Sequence, residues 1–246
     1  MRFTPPMLPA VLLVALAACG QHRREPVADA PDAAMVGAAD SIPSALRAPV
    51  PADAPVILAF GDSLYAGYRL DPNDSYPAQL EAALNAGGVP ARVVNAGVSG
   101  DTTAAGLQRL AFTLDNQPKK PVLVMVGLGG NDMLRALPPA QTRANLDAII
   151  TAIEARHISI LLTGMLAGHN LGPDYGAAFN PIWPQLARKH HTALVPFFEQ
   201  AVVGNPGLML DDHIHPSRAG VAAIVKATQP AVVAALQDAK RANLMR

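Results

Sequence analysis

From residue 56 onward, short runs of aliphatic residues alternate with longer segments in which apolar residues recur every three or four positions. A continuous apolar run of four to eight residues is typical of a strand that is buried on both faces of a parallel sheet. The runs VILAF and PVLVMVG are the clearest examples. The pattern predicts five strands, at residues 56–60, 92–95, 121–127, 158–163 and 194–197.

The amphipathic segments between these runs predict helices. In one of them, apolar residues recur at positions i, i+3, i+4 and i+7 counted from Leu107, which places them on one face of a helix. Pro181 and Pro184 are expected to kink the fourth helix, and Pro230 to interrupt the last, because proline lacks the amide hydrogen that continues a helix. The predicted helices cover residues 75–85, 102–114, 139–156, 175–190 and 217–236.

The alternation of strands and helices predicts an α/β fold. Strand–helix–strand units with right-handed crossovers give a parallel sheet with helices on both faces, which is a three-layer α/β/α sandwich. In open parallel sheets, sites form in the loops beyond the carboxyl ends of the strands. Chemistry is therefore expected just after residues 60, 95, 127 and 197.

The first residues of the chain indicate an export signal. Arg2 gives a positive start, and residues 8–16 form an apolar core that is too short to cross a bilayer as a helix. Small residues then precede Cys19, an arrangement that resembles a bacterial lipobox and implies cleavage before Cys19 and lipidation of that cysteine. Gly20 after the cysteine favours anchoring to the outer membrane, on the periplasmic side. The alternative is an ordinary signal peptide cut after Ala18, with an unmodified thiol.

Residues 19–55 have a different composition from the rest of the chain. They are rich in Ala, Pro and Asp and show no apolar period, so they cannot bury enough apolar surface to offset the entropy of the chain. We therefore expect a signal peptide at 1–18, a flexible tether at 19–55 that begins with the lipidated cysteine, and a folded domain at 56–246. A disordered extension with no anchoring role is the alternative.

Composition and charge narrow the possible function classes. The chain has 246 residues, half of them hydrophobic, which suits one α/β domain with a large core. Nineteen basic and nineteen acidic residues give a net charge of zero, without the clustered positive charge that nucleic-acid binding requires. Cys19 is the only cysteine, which excludes an intrachain disulfide and a cysteine zinc site.

Polar motifs follow the first two predicted strands. Ser63 comes shortly after a buried strand in the sequence Gly-Asp-Ser-Leu, where its hydroxyl can act as a nucleophile if a base lies in reach. Gly100 stands just ahead of a predicted helix, whose free N–H groups can bind an anion such as a reaction oxyanion. The alternatives are an ordinary turn at Ser63 and a plain loop in which Asp101 or Thr102 caps the helix.

Two further motifs follow the third and fifth strands. Asn131, in Gly-Gly-Asn-Asp, can donate a neutral N–H to an oxyanion, and Asp132 is expected to brace this loop; an ordinary turn is the alternative. Asp212 and His215 have a spacing that can pair a carboxylate with an imidazole for acyl transfer. A metal site formed by these two residues and His213 lacks further ligands, so we expect neither a metal nor a cofactor.

In this order the four motifs resemble the Gly-Asp-Ser-Leu, Gly, Gly-x-Asn-Asp and Asp-x-x-His blocks of the SGNH, or GDSL, hydrolase superfamily. The resemblance covers nearly the whole folded region and implies a flavodoxin-like sandwich with a five-stranded parallel sheet. It implies that Ser63 is the nucleophile, His215 the base and Asp212 the carboxylate that orients the base. The implied oxyanion hole consists of the N–H groups of Ser63 and Gly100 and the side chain of Asn131.

The sequence around these blocks resembles the bacterial thioesterase I, arylesterase and lysophospholipase subgroup. The clearest matches are residues 99–103 and 128–132. The resemblance implies a serine esterase without a cofactor, acting on aryl or short- to medium-chain acyl esters, or on lysophospholipids or thioesters. Gly127 departs from the subgroup, which usually has Glu there, so an interaction beside Asn131 is expected to be missing. The loop at residues 168–171 also departs from the subgroup.

Substrate contacts and partners are less constrained by the motifs. We expect a small-molecule or lipid ester as substrate, membrane contact through the lipid at Cys19, and a monomer. The alternatives are an O-acetylesterase that acts on cell-envelope polysaccharide, and a lipoprotein that binds lipid or glycan in the same cleft without catalysis. Several loop residues either contact the substrate or only pack at the rim of the sheet. They are Met133, Leu134, Leu137, Leu166, His169 and Leu171.

Overall fold

The computed structural model describes residues 50–245, so the predicted signal peptide, Cys19 and most of the predicted tether lie outside the described residues. Within this part of the chain, five parallel strands form one sheet in the order β2-β1-β3-β4-β5, which confirms the predicted sheet. β2 is longer than predicted and β5 is shorter. The strands are β1 Val56–Gly61, β2 Arg92–Gly97, β3 Leu123–Gly127, β4 Ser159–Thr163 and β5 Ala193–Val195.

Helices flank the sheet on both sides. The apolar pattern does not predict α1 and α4, because each is a short helix soon after a strand and too short to show a helical period. The other helices begin close to their predicted first residues, apart from the split described below. They are α1 Ser63–Ala66, α2 Tyr76–Ala86, α3 Thr103–Asp115, α4 Gly130–Leu134, α5 Pro139–Glu154, α6 Pro173–Phe179, α7 Ile182–His190 and α8 Arg218–Leu244.

The prediction of one kinked helix at residues 175–190 is wrong, because the structure has two helices there. α6 and α7 are separated at Asn180 and Pro181, where proline cannot donate the hydrogen bond that would continue α6. Asn180 stabilises the break, since its Oδ1 accepts a hydrogen bond of 2.7 Å from the N–H of Ala167. Pro184 is tolerated in the first turn of α7, where N–H groups have no partner within the helix.

The last helix, α8, continues through Pro230 and ends later than predicted. Val225 and Val232 are buried on either side of this proline. Packing on this face therefore offsets a cost of about 3 kcal/mol for a proline inside a helix. By length and composition α8 is able to cross a membrane, but its buried face packs against α2 and strands β3, β4 and β5, as in the core helix of a globular domain.

Buried residues form one cluster on each face of the sheet. Ile57 and Met125 face the side that is covered by α2 and α8. Leu58 directly follows Ile57, and Val124 directly precedes Met125. Both face the opposite side of the sheet, which is covered by α3, α5 and α7. Successive side chains of a strand point to opposite faces, so the sheet is the middle layer of a three-layer sandwich, as predicted.

The carboxyl ends of three strands lie side by side at one edge of the sheet. Gly61 of β1 pairs with Gly97 of β2 and with Gly127 of β3. A Cβ atom on Gly97 would lie 2.3 Å from the backbone nitrogen of Ala66, so glycine is required for α1 to pack directly on the end of β2. The loops that follow these three strands are therefore held close together.

Candidate active site

Ser63 lies on a short helix that is closed at both ends. It is the first residue of α1, and Asp62 caps the helix by accepting a hydrogen bond of 3.1 Å from the N–H of Leu64. Gly67 ends the helix in the left-handed conformation, with φ at 83°, and donates its N–H to the carbonyl of Ser63. The nucleophile predicted from the sequence is thus fixed just beyond the carboxyl end of β1.

The structure brings Ser63, His215 and Asp212 together into one chain of hydrogen bonds. The Nε2 atom of His215 lies 2.8 Å from the Oγ atom of Ser63, and its Nδ1 atom lies 2.8 Å from the Oδ2 atom of Asp212. The side chains of His215 and Asp212 are only 15% and 26% exposed. In this arrangement the ring can accept the serine proton at one nitrogen while the carboxylate holds the other.

Asp212 is held in its ionised form by the loop that carries it. Its second oxygen accepts hydrogen bonds from the backbone N–H groups of Ile214 and His215, at 2.9 and 3.0 Å. Partial burial opposes the charge, but these two N–H groups and the imidazole of His215 outweigh it and lower the pKa of Asp212 to about 2. The carboxylate therefore carries its charge throughout the neutral pH range.

The neighbours of these residues have other environments. Asp211 forms an ion pair of 2.5 Å with Arg69, and His213 is exposed to solvent. Within residues 50–245, no group of three or more His, Cys, Asp or Glu side chains is arranged to hold a metal ion. The loop is closed by a hydrogen bond of 2.7 Å from the N–H of Leu210 to the carbonyl of His215.

The two other predicted oxyanion donors lie on the loops at either side of β1. Gly100 adopts a φ of 87° in the turn before α3, a conformation that suits glycine. Asn131 lies in the first turn of α4 and is half-buried. Arg135, directly after α4, donates a hydrogen bond of 3.0 Å to the carbonyl of Gly100 and so connects the two loops.

Asp132 braces these two loops, as expected from the sequence. Its buried carboxylate accepts hydrogen bonds from the backbone N–H and the hydroxyl of Thr103, at 2.8 and 2.5 Å. It also accepts one of 3.2 Å from the hydroxyl of Thr142. Because Thr103 begins α3, Asp132 fixes the helix that carries Asn131 against the helix that follows Gly100.

Arg109 is a further link that sequence reasoning missed. Its Nε atom donates to Asp101 at 2.6 Å, and its Nη2 atom donates to the carbonyl of Gly61 at 2.9 Å. Its guanidinium carbon lies 4.1 Å from the centre of the Phe60 ring. Arg109 therefore joins the strand that leads to Ser63 to the loop that carries Gly100, and no spacing rule points to an arginine in the middle of α3.

Two carboxyl groups close to this site have raised pKa values. Asp62 is almost fully buried, and this burial raises its pKa to about 7, opposed by the N–H of Leu64 and increased by the charges of Asp101 and Asp132. Burial also raises the pKa of Glu199 to about 7, and repulsion from Asp62 adds to the effect. Both groups are therefore easier to keep neutral in the folded protein than in the unfolded chain.

The predicted substrate contacts differ in exposure. Leu134 is 53% exposed and Leu166 is 42% exposed, which makes them available to a ligand. Met165, next to Leu166, lies beside α4, since its Cε atom would be 3.5 Å from a Cβ atom on Gly130. Leu134, the last residue of α4, and Leu166, in the loop after β4, are thus carried by neighbouring segments. Of the remaining candidates, His169 is exposed, whereas three are half-buried: Met133, Leu137 and Leu171.

Comparison with known proteins decides the family. A model of the GDSL-like lipase/acylhydrolase family matches residues 59–223. The chain belongs to this family. This GDSL hydrolase is 42% identical over 168 residues to the esterase TesA of Pseudomonas aeruginosa. The matched region covers 68% of the chain and 83% of that relative. It is also 40% identical over 167 residues to thioesterase 1/protease 1/lysophospholipase L1 of Escherichia coli K12. That match covers 68% of the chain and 78% of the relative.

The fold of the GDSL hydrolase also matches solved structures. The crystal structure of AlinE4, an SGNH-hydrolase family esterase, is similar with a TM-score of 0.64 at 56% identity, over 75% of this chain and 97% of that one. The resemblance drawn from the four sequence motifs is therefore confirmed. The GDSL hydrolase is an enzyme that hydrolyses ester bonds, and its substrates are small-molecule esters.

Proposed function

We propose that the GDSL hydrolase cleaves carboxylic esters by a two-step acyl transfer through Ser63. The supporting observation is the hydrogen-bonded chain from Ser63 through His215 to Asp212, with 2.8 Å at each contact. In the first step His215 accepts the hydroxyl proton while the Ser63 oxygen attacks the carbonyl carbon. His215 then gives this proton to the departing alcohol, and an acyl group remains on Ser63.

The second step releases the acid and restores the enzyme. His215 takes a proton from a water molecule, whose oxygen attacks the acyl carbon. The bond between the acyl group and Ser63 breaks, and His215 returns the proton to the serine oxygen. Asp212 stays ionised throughout and holds the Nδ1–H of the ring. The cycle needs no cofactor.

Three donors are proposed to stabilise the oxyanion of both steps. They are the N–H groups of Ser63 and Gly100 and the side-chain amide of Asn131. Their support is the placement of the three loops at the carboxyl ends of adjacent strands, with Asp132 and Arg135 linking the loops of Gly100 and Asn131. Loss of one such donor costs about 2.7–4 kcal/mol of transition-state stabilisation.

Aryl esters and short- to medium-chain acyl esters are the proposed substrates. The exposed apolar side chains of Leu134 and Leu166 offer contact area for an acyl chain. The relatives include a thioesterase and a lysophospholipase, which extends the proposal to lysophospholipids and thioesters. Cytoplasmic acyl-CoA is disfavoured as the substrate in the cell, because the enzyme is proposed to be exported.

A location in the cell envelope is proposed from the first residues alone. The small residues ahead of Cys19 support cleavage at that position and a lipid anchor on the outer membrane. Cys19→Ala is expected to abolish the incorporation of a labelled fatty acid into the protein. Equal labelling of the variant and the natural protein would contradict the anchor and leave the catalytic proposal intact.

A hydrolysis profile tests the proposed substrate class. Turnover is measured on p-nitrophenyl esters of rising acyl length, beside a lysophospholipid and an acetylated xylan. The proposal predicts turnover of short and medium chains, and background rates for Ser63→Ala with unchanged thermal unfolding. Activity confined to the acetylated xylan would replace the proposal with an O-acetylesterase. Full activity of Ser63→Ala would remove the nucleophile assignment.

A further inference from the structure

Tyr68 is connected to both the nucleophile and the base. It follows the last turn of α1, where its backbone N–H donates a hydrogen bond of 3.3 Å to the carbonyl of Ser63. Its ring centre lies 4.3 Å from the ring centre of His215, and the two rings are inclined by 33°. Tyr68 is 40% exposed, so it is not a core residue whose position is explained by packing alone.

The next residue links the same two segments a second time. Arg69 adopts a φ of 58°, which is unusual for a residue with a side chain, and its guanidinium forms two hydrogen bonds with Asp211, at 2.5 and 3.4 Å. Asp211 directly precedes Asp212. The turn after α1 therefore contacts the loop that carries His215 at two places. Tyr68 packs against His215, and Arg69 binds Asp211.

The contacts of His215 divide between the edge and the face of its ring. Ser63 and Asp212 bind the two ring nitrogens, which lie on the edge. Tyr68 covers a face of the ring. The carboxylate of Asp212 binds His215 directly, and the charge of Asp211, which precedes Asp212 in the chain, is paired with Arg69.

We propose that Tyr68 is a positioning residue that stabilises the protonated imidazole of His215 during catalysis. The face of an aromatic ring attracts a cation whose centre lies within about 6 Å, and the observed spacing is well inside that range. His215 gains its charge only when it takes the proton of Ser63, so the attraction is stronger in the transition state than in the resting enzyme. Such a difference raises kcat. The proposal rests on the proposed role of His215 as the base.

The first test compares three variants on p-nitrophenyl acetate. Tyr68→Leu removes the aromatic face, and kcat is expected to fall about threefold to tenfold with little change in KM. Tyr68→Phe keeps the face and is expected to stay within about twofold of the natural enzyme. Phe112→Leu, a matched change at an exposed ring on α3, is expected to have no effect on kcat. Unchanged thermal unfolding of each variant shows that the fold is intact.

The second test places Tyr68→Leu in a His215→Ala background. If Tyr68 acts through His215, the residual rate of His215→Ala does not change when Tyr68→Leu is added.

Three outcomes overturn the proposal. They are an unchanged kcat for Tyr68→Leu, an equal loss in the His215→Ala background, and a rise of KM without a fall of kcat, which indicates a substrate contact. A His215→Ala variant with full activity would instead contradict the proposed function itself. The two failures are therefore distinguishable.

Discussion

The phenol ring of Tyr65 lies across Gly127, so close that a Cβ atom on this glycine would be 2.6 Å from the Cζ atom of the ring. The Tyr65 hydroxyl forms a hydrogen bond of 2.9 Å with the hydroxyl of Thr163 on β4. Tyr65 belongs to α1, the helix that begins with Ser63. The space beside Gly127, where the sequence suggested a missing interaction, is thus filled by a ring that fixes the nucleophile helix against the sheet.

A side chain at position 127 is expected to destabilise this contact. Gly127→Ala places a methyl group against Tyr65, and overpacking of this kind costs about 1–3 kcal/mol. Thermal unfolding should shift downward by roughly 2–4 °C for each kcal/mol, and kcat on p-nitrophenyl acetate should fall because α1 is displaced.

A matched glycine provides the control for this prediction. Gly176→Ala in α6 meets only the side chain of Asn180, at 3.8 Å, and is expected to leave unfolding unchanged or to stabilise the helix. Gly127→Ala should cost less stability in a Tyr65→Leu background than in the natural protein, because the ring it would displace is absent there. Equal stability of Gly127→Ala and the natural protein would show that Tyr65 is not held by this contact.

Asn131→Ala is expected to remove an oxyanion donor without unfolding the enzyme. The variant should lower kcat by about 10²- to 10³-fold, since the lost hydrogen bond is worth most in the transition state. Steady-state kinetics on p-nitrophenyl acetate measures the effect, and Asn243→Ala at an exposed position of α8 is the control. A loss smaller than threefold would remove Asn131 from the oxyanion hole.

Arg109→Leu is expected to lower both stability and turnover. The change breaks a largely buried ion pair with Asp101 and leaves the carbonyl of Gly61 without this donor, at a cost of about 1–3 kcal/mol. Because Arg109 joins the loops of the nucleophile and of Gly100, kcat should fall as well. Arg92→Leu, at the exposed first residue of β2, should affect neither quantity. If Arg109→Leu lowers stability alone, the link has no part in catalysis.

Glu199 is expected to make the folded enzyme less stable as pH rises. Its pKa is raised from 4.5 to about 7, mainly by burial. A raised pKa contributes stability that is fully present below pH 4.5 and is lost as pH rises through about 7. Between pH 5 and pH 8, the free energy of unfolding of Glu199→Gln should therefore rise by about 1–2 kcal/mol relative to that of the natural protein. This is less than the pKa shift alone implies, because the group is half-buried and screened by solvent.

Urea unfolding at pH 5 and pH 8 checks this dependence. The free energy of unfolding of Asp53→Asn, a variant at an exposed position before β1, should change with pH in the same way as that of the natural protein. Asp62 has a similarly raised pKa, so a smaller decline should remain in Glu199→Gln. A decline as large as that of the natural protein would exclude Glu199 as its source.

The order of elements could be predicted because strands and helices leave different apolar periods. The apolar run of β3 and the amphipathic pattern of α3 each identify their element within a few residues. The prolines mark a disturbance near residue 181, but whether the helix kinks or divides there could not be predicted, because the break is also stabilised by a hydrogen bond from Ala167, thirteen residues before Asn180. The continuation of α8 through Pro230 depends on tertiary packing, which the local pattern does not record.

The residues of the candidate site could be predicted from the sequence for a related reason. Ser63, Asn131 and the pair of Asp212 and His215 each follow a strand, and parallel strands bring their carboxyl ends to one edge. Tyr68 and Arg109 could not be found in this way. Their roles come from contacts between segments that lie far apart in the chain, and no local motif marks them.

The most direct test of the catalytic account is covalent labelling with a fluorophosphonate. The natural protein is expected to gain the mass of one phosphonyl group, located at Ser63 by peptide mapping. His215→Ala should react far more slowly, because the serine has lost its base, and Ser63→Ala should not react. Rapid labelling of Ser63→Ala at another residue, or labelling of His215→Ala at the natural rate, would contradict the proposed chain from Ser63 to Asp212.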